Sequence, residues 1–254
     1  MALSLPLLAG LFALTALLYS AAGFGGGSTY TALLVLAGRG PSEVAVISLT
    51  CNILVVTVGA WRFAREGHVD LRRIWPLFAA SVPAAFIGGT LPVGPVLFVA
   101  LLAASLFVAG LAMLYRPREA VQPPRTYSRA LEPLLGGALG LLAGIVGIGG
   151  GVYLAPVLHL LRWGDAHAIA GTCAVFILVN SIAGVGGQLV KSGAEAGSIL
   201  AAHWLLLPTV VAGGLLGSLL TVRRVGGTAL RILTALLILF VAVQLTRRFF
   251  ELVQ

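Results

Sequence analysis

From Ile74 to Tyr115 the chain runs 42 residues without an Asp, Glu, Lys or Arg. Residues 44–61, 133–161, 168–190, 196–222 and 232–246 are equally free of them. A helix that crosses a bilayer needs about 20 apolar residues. The 42-residue run is therefore two spans, and Pro92-Val93-Gly94-Pro95 marks the turn between them. Only 9% of the chain is charged, against about 25% in a soluble domain. Such a chain cannot cover a surface that faces water. The expected class is an all-α, multi-pass integral membrane protein, with lipid as its surroundings. The first apolar segment has no basic stretch before it and runs on into further membrane sequence. It reads as structure rather than as a cleaved leader.

Net charge is +8, from 16 Lys and Arg against eight acids. The arginines sit in short loops between spans, which is the pattern of positive-inside topology. No extended basic face remains for a duplex, so nucleic acid is not expected as a partner. Cys51 and Cys173 are the only cysteines, and both lie in apolar segments. They are too few for a metal framework or a secreted disulfide scaffold.

Glycine clusters interrupt these apolar runs twice. Residues 23–30 read GFGGGSTY and residues 147–153 read GIGGGVY. The second cluster is one of several echoes of the first half. Phe24-Gly25-Gly26-Gly27 matches Ile148-Gly149-Gly150-Gly151 at an offset of 124. Thr50-Cys51 matches Thr172-Cys173 at 122, and Val82-Pro83 matches Leu207-Pro208 at 125. Asn52 and Asn180 follow in looser register. The chain thus divides into a first transmembrane repeat over 1–115, a cytoplasmic linker over 116–129 rich in Arg and Pro, and a second repeat over 130–254. Each repeat is expected to hold an apolar helix, a glycine break, a short helix and three long helices. The short helices are placed at 28–38 and 152–162.

The short helix carries the functional argument. Eleven residues span about 16 Å, roughly half of a ~30 Å hydrocarbon core. With its charged end at the surface, its glycine end lies near mid-membrane. Broken backbone at that depth must face protein or a polar cavity. A helix that starts there offers free N–H groups and about half a positive charge. Two such starts could converge on one anion without any buried cation. The competing reading is close helix packing, since small residues let membrane helices touch.

Candidate residues for the anion site are Gly25, Gly26, Gly27, Ser28 and Thr29 from the first break. Gly149, Gly150, Gly151, Val152 and Tyr153 come from the second. Tyr30 and Tyr153 add phenols if they turn inward. Thr50, Cys51, Asn52, Thr172, Cys173 and Asn180 are polar or thiol residues within charge-free runs. Intramembrane polar groups tend to face the bundle interior, although an interhelical hydrogen bond alone would also explain each Asn. The four histidines fall near helix ends or in loops, where one could carry a coupling proton. No zinc spacing, no Ser–His–Asp set at a common depth and no nucleotide motif is present. No catalytic residue is expected, and the carboxylates all fall in loops or at helix ends.

The paired G-[FI]-G-G-G units, each followed by a short apolar helix, resemble the sulfite exporter TauE/SafE family, also called the 4-toluene sulfonate uptake permease family. The resemblance covers about residues 5–247. In the second half the family pattern appears as Gly149-Gly150-Gly151, Pro156 and Gly171-Thr172; in the first half Tyr30-Thr31-Ala32 and Ser48-Leu49-Thr50 depart from it. The resemblance implies a transporter of sulfur-containing or related organic anions, in a bacterial inner membrane, with no prosthetic group. Sulfite, sulfonate, sulfoacetate and thiosulfate are the candidate solutes. The expected function is a secondary carrier in which the halves rock to alternate access, driven by the solute gradient or by protons or another coupling ion. A membrane-embedded enzyme acting on lipid phosphates and a non-transporting assembly subunit are the alternatives.

Broken helices in paired halves favour inverted repeats. Inverted halves, with each broken unit entering and leaving by one side, put the C-terminus outside. Parallel halves put it inside. A periplasm-dependent reporter fused after Gln254 should therefore be active, and a cytoplasm-dependent one silent; the opposite pair of results selects the parallel arrangement.

Overall fold

A computed structural model describes residues 4–21, 24–114, 130–220 and 227–253. The expected linker 116–129 and the pair Arg223-Arg224 lie outside the described residues. All described elements are helices. In the first half they are α1 (Leu5–Ala21), α2 (Gly27–Leu36), α3 (Pro41–Arg65), α4 (Leu71–Thr90) and α5 (Pro95–Leu114). The second half holds α6 (Leu131–Val146), α7 (Gly151–Leu160), α8 (Ala166–Ser192), α9 (Glu195–Ala202), α10 (Leu206–Leu220) and α11 (Gly227–Val253). By length and composition, three described helices can cross a bilayer: Pro41–Arg65, Pro95–Ala112 and His167–Ser192. The α9/α10 pair joins them if it counts as one bent span.

Local chemistry sets the helix ends. Pro41 opens α3, where a missing N–H costs nothing. Asp70 caps α4 by accepting the amides of Arg72 and Arg73. Asp165 caps α8 through the Ala168 amide at 2.8 Å, and that bond holds its carboxyl below the usual carboxylate range. The short helices have ten residues each. Gly26 and Gly150 precede them at φ 84°, a left-handed conformation that a side chain would strain.

One expected helix is bent. Residues 195–220 form α9 and α10, which meet at 64° across His203-Trp204-Leu205. Pro208 cannot donate to the carbonyl of Trp204, which loosens this turn. Pro83 occupies the matching place in α4, yet α4 runs through. The difference at the elbow is His203, whose amide and ring Nδ1 both bond to the Ile199 carbonyl, closing α9.

Helices pair across the halves rather than within them. The closest partners are α4 with α6, α1 with α10, α5 with α11 and α3 with α8. Glycines explain the first two. A Cβ on Gly136, Gly140 or Gly144 would land on the carbonyls of Leu77, Ser81 and Ala85. The same is true of Gly213 and Gly217 against Ala13 and Leu17. In both pairs, residue numbers rise together, so the helices are parallel. Each stripe repeats every fourth residue, placing one bare face of the helix against its neighbour's backbone.

The α3/α8 contact runs the other way. Gly171 meets Phe63, Ala174 and Ile177 cluster with Val56 and Ala60, and Gly184 meets Leu49. These helices are antiparallel. The chain also doubles back between α1 and α2. The Phe24 amide bonds to the Tyr19 carbonyl, and Tyr30 stacks on Phe12 with ring centroids 4.6 Å apart.

Gly140→Val should push α6 off α4 and lower the melting temperature, since overpacking costs about 1–3 kcal/mol. Gly137→Ala is the control, because its added methyl meets only Ala80 Cβ at 4.0 Å. It should leave the melting temperature unchanged or raised. Equal losses in both would show that the stripe is not the contact that matters.

Candidate functional site

Both glycine breaks are buried, and they touch each other. A Cβ on Gly27 would lie 2.6 Å from the Ile148 carbonyl oxygen of the other half. The α2 and α7 N-termini thus meet inside the bundle. Within each turn the Gly26 carbonyl accepts the Thr29 and Tyr30 amides, and the Gly150 carbonyl accepts those of Tyr153 and Leu154. The amides of Gly27, Ser28, Gly151 and Val152 fall before the first helical bonds.

Asn52 bridges the meeting point. It comes from the middle of α3, is fully buried, and donates from Nδ2 to the Ile148 carbonyl at 2.9 Å. Its Oδ1 has no hydrogen-bond partner, and Gly25 stands against it with a would-be Cβ 2.6 Å away. Glycine at 25 and 27 is what leaves room for this amide. A second set of bonds ties the breaks below Asn52. Thr31 Oγ1 donates to Ser48 Oγ at 2.8 Å, and Ser48 Oγ lies 3.1 Å from the Gly27 carbonyl as its donor. Thr31 also reaches the Gly147 carbonyl at 3.3 Å.

Ser181 of α8 faces the second break. Its Oγ is 2.7 Å from the position of a Gly149 Cβ, it is fully buried, and it has no hydrogen-bond partner. Asn52 Nδ2 lies 3.1 Å from the same position. Gly25, Gly27, Asn52, Ile148, Gly149 and Ser181 therefore form one cluster.

The other sequence candidates take different places. Ser28 and Thr29 share the Tyr19 hydroxyl, at 3.2 and 3.0 Å. Tyr153 turns away from the break and bonds to Ser105 of α5 at 2.8 Å. Tyr30 keeps its hydroxyl at Gly26, where it is buried without a partner. Gly150 packs on the Phe176 ring. Thr50 bonds back to the Val46 carbonyl within α3. Thr172 is buried with its hydroxyl unpartnered. Asn180 bonds back to the Phe176 carbonyl at 2.9 Å and leaves its Oδ1 unpaired. Cys51 and Val152 sit in the main apolar core with Val146 and Ile148, and Cys173 packs with Leu154 and Phe176.

The matching of halves at the site is tighter than the paired threonines suggest. A Gly27 Cβ would fall on Asn52, and a Gly151 Cβ falls on Ile177. Ile177 is thus the positional partner of Asn52, at the same offset as the Val82-Pro83 and Leu207-Pro208 pair. One break is bridged by an amide and the other is backed by hydrocarbon.

Helix-end charge at the cluster is mixed, because the ends of α1 and α6 that lead into the breaks are negative and the starts of α2 and α7 are positive. Each helix start carries about half a positive charge. The described acids lie at helix ends: Glu43, Glu132 and Glu195 in first turns, Asp70 and Asp165 as caps, Glu66 and Glu251 at C-terminal ends. None sits between the two breaks. The cluster offers donors in the free amides and the Ser181 hydroxyl beside one unpartnered acceptor, Asn52 Oδ1, and no described cluster of His, Cys, Asp and Glu could hold a metal ion.

Sequence reasoning passed over Ser181, Ser48, Thr31 and Tyr19. Ser181 directly follows Asn180 inside the same charge-free run and carries the same signal, a polar side chain in apolar surroundings. Tyr19 ends the helix before the break, one turn from a cluster that needed a buried donor.

The family model for the sulfite exporter TauE/SafE matches residues 7–245. A relative from Sinorhizobium fredii (strain NBRC 101917 / NGR234), a "Probable membrane transporter protein y4hK", is 31% identical over 232 residues, covering 90% of this chain and 92% of its own. No solved structure matches the chain. With the family model spanning both breaks and nearly every helix, the chain belongs to the sulfite exporter TauE/SafE family of membrane transporters.

Proposed function

We propose that this membrane transporter is a secondary carrier of small oxyanions of the sulfite, sulfonate, sulfoacetate or thiosulfate type. The observation that carries the reading is the meeting of two helix N-termini at a buried point with no acid between them. The anion would take the backbone amides of Gly27, Ser28, Gly151 and Val152 and the Ser181 hydroxyl. Asn52 would act as a latch. Its Nδ2 is bound to Ile148, and release of that bond would free one more donor for the solute. The family description supports sulfur oxyanions as the class.

The site is closed to solvent, so solute entry requires the bundle to open. Alternating access supplies that opening, and inverted halves supply two related openings. The antiparallel α3/α8 contact and the doubled-back α1/α2 turn support inversion. Placement in a bacterial inner membrane goes with this reading.

Purified protein in liposomes should take up at least one labelled anion from a panel of sulfite, thiosulfate and a sulfonate, unaided by other proteins. Uptake of none sinks the proposal, and release of phosphate from lipid would replace it with an enzyme. Ser181→Ala tests the site without disturbing the fold, because the hydroxyl it removes has no partner. A lost hydrogen bond to a charged solute should raise the half-saturating concentration about tenfold or more. Unchanged uptake kinetics would remove Ser181 from the site.

A further inference from the structure

A second polar cluster lies away from the glycine breaks, where the α9/α10 elbow meets the start of α3. His203 is only 5% exposed. Its Nδ1 faces the Ile199 carbonyl at 3.0 Å, and its Nε2 faces Glu43 Oε1 at 3.3 Å. The same Glu43 oxygen takes Arg39 Nη1 at 3.3 Å. Arg39 Nε is buried without a partner, so the arginine is held by this one carboxylate among the described contacts.

Hydrogen-bond roles fix what the ring must carry. A carbonyl oxygen only accepts, and so does a carboxylate. A neutral imidazole has one N–H and one bare lone pair, so one of its two contacts would set lone pair against lone pair. Both contacts are satisfied only when the histidine and Glu43 together hold one added proton, as imidazolium beside carboxylate. Glu43 is in the first turn of α3, where the helix dipole favours the charged carboxylate. With that proton on His203, both ring nitrogens donate and the Glu43 oxygen accepts from Arg39 as well.

Other charges near the elbow do not substitute for it. α9 packs on α3 and α8, and α10 packs on α1 and α3. α3 contributes Glu43 and α8 ends with Lys191. α9 carries Glu195, which is exposed, and α1 and α10 carry no charged residue. His203 is the one imidazole in that set, able to carry a proton on either ring nitrogen or on both.

The elbow also connects to the candidate site. α10 lies parallel on α1 through Gly213 and Gly217, and α1 leads directly into the first glycine break. The α10/α1 contact is backbone against backbone, which makes it the route by which a shift of the elbow would reach the break.

We propose that His203, Glu43 and Arg39 form a proton-binding latch that ties the α9/α10 elbow to α3 when His203 is protonated and releases it when the proton leaves. The link to transport rests on the carrier reading above; the proton site does not. The latch holds at low pH, and as pH rises the Nε2 contact to Glu43 is lost and the elbow is freed.

The test uses Trp204, which is next to His203 and 63% exposed. The full chain in lipid nanodiscs would carry Trp61→Phe, Trp75→Phe and Trp163→Phe, leaving Trp204 as the sole reporter. Its emission should change in a single transition when the sample is scanned from about pH 5 to about pH 8, the range of imidazoles in general. His203→Gln keeps a donor toward Glu43 but cannot titrate, and should flatten the transition. A flat response in the parent protein, or an unaltered one in His203→Gln, overturns the proposal. If His203→Gln does not insert, Glu43→Gln serves instead. Without the carboxylate the imidazolium is less favoured, so the transition should move to lower pH, and an unmoved transition overturns the proposal. In proteoliposomes, anion uptake should differ about fivefold or more across the same pH range and become flat in His203→Gln. A normal Trp204 transition with no uptake of any anion supports the proton site while removing the carrier reading. A normal transition with pH-independent uptake overturns the latch as a control on transport.

Discussion

Everything in this bundle depends on the treatment of one buried carbonyl, that of Ile148. A helix interrupted inside an apolar bundle exposes backbone groups that neither water nor lipid can satisfy. Asn52 answers that need from the opposite half, donating to Ile148 at 2.9 Å. The bond costs space, and glycines at 25 and 27 supply it. The glycines, the central asparagine and the break are therefore one device. Removing any part leaves either a clash or a buried, unpaired polar group worth about 1–3 kcal/mol.

The same economy of space works elsewhere in the chain, toward a different end. Glycines inside α6 and α10 let those helices lie on the carbonyls of α4 and α1. Both meanings of glycine considered from sequence are thus present at different positions. Those within helices make close contacts, and those between helices make room for polar groups. Spacing tells them apart. The packing glycines recur every fourth residue, whereas the break glycines are consecutive.

Most of the architecture was legible in the sequence. Charge-free runs fixed the helices, and the paired glycine clusters fixed the short ones to within two residues at each end. The duplication and the depth argument left it open for the two breaks to converge, and they do touch. Other features were out of reach. The α9/α10 bend depends on a histidine bonding to the carbonyl four residues before it, and nothing in its spacing announces that. Thr50 and Asn180 looked like site residues because they are polar in apolar surroundings. Each bonds back to its own helix, which satisfies the Thr50 hydroxyl and the Asn180 Nδ2 but leaves Asn180 Oδ1 unpaired. Ser181 was missed for the converse reason, since an unpartnered hydroxyl is visible only when its neighbours are.

The exchange of helices between the halves has a consequence for motion. α1 belongs with α10 and α4 with α6, in each case with backbone pressed on backbone through missing side chains. Sliding or separating such surfaces would forfeit the tightest contacts in the molecule. Any displacement that conserves them carries α1 along with α10 and α6 along with α4. The most tightly packed helix pairs of this protein are thus each drawn from both halves of the chain, and its closest packing runs across the seam at which its sequence repeats.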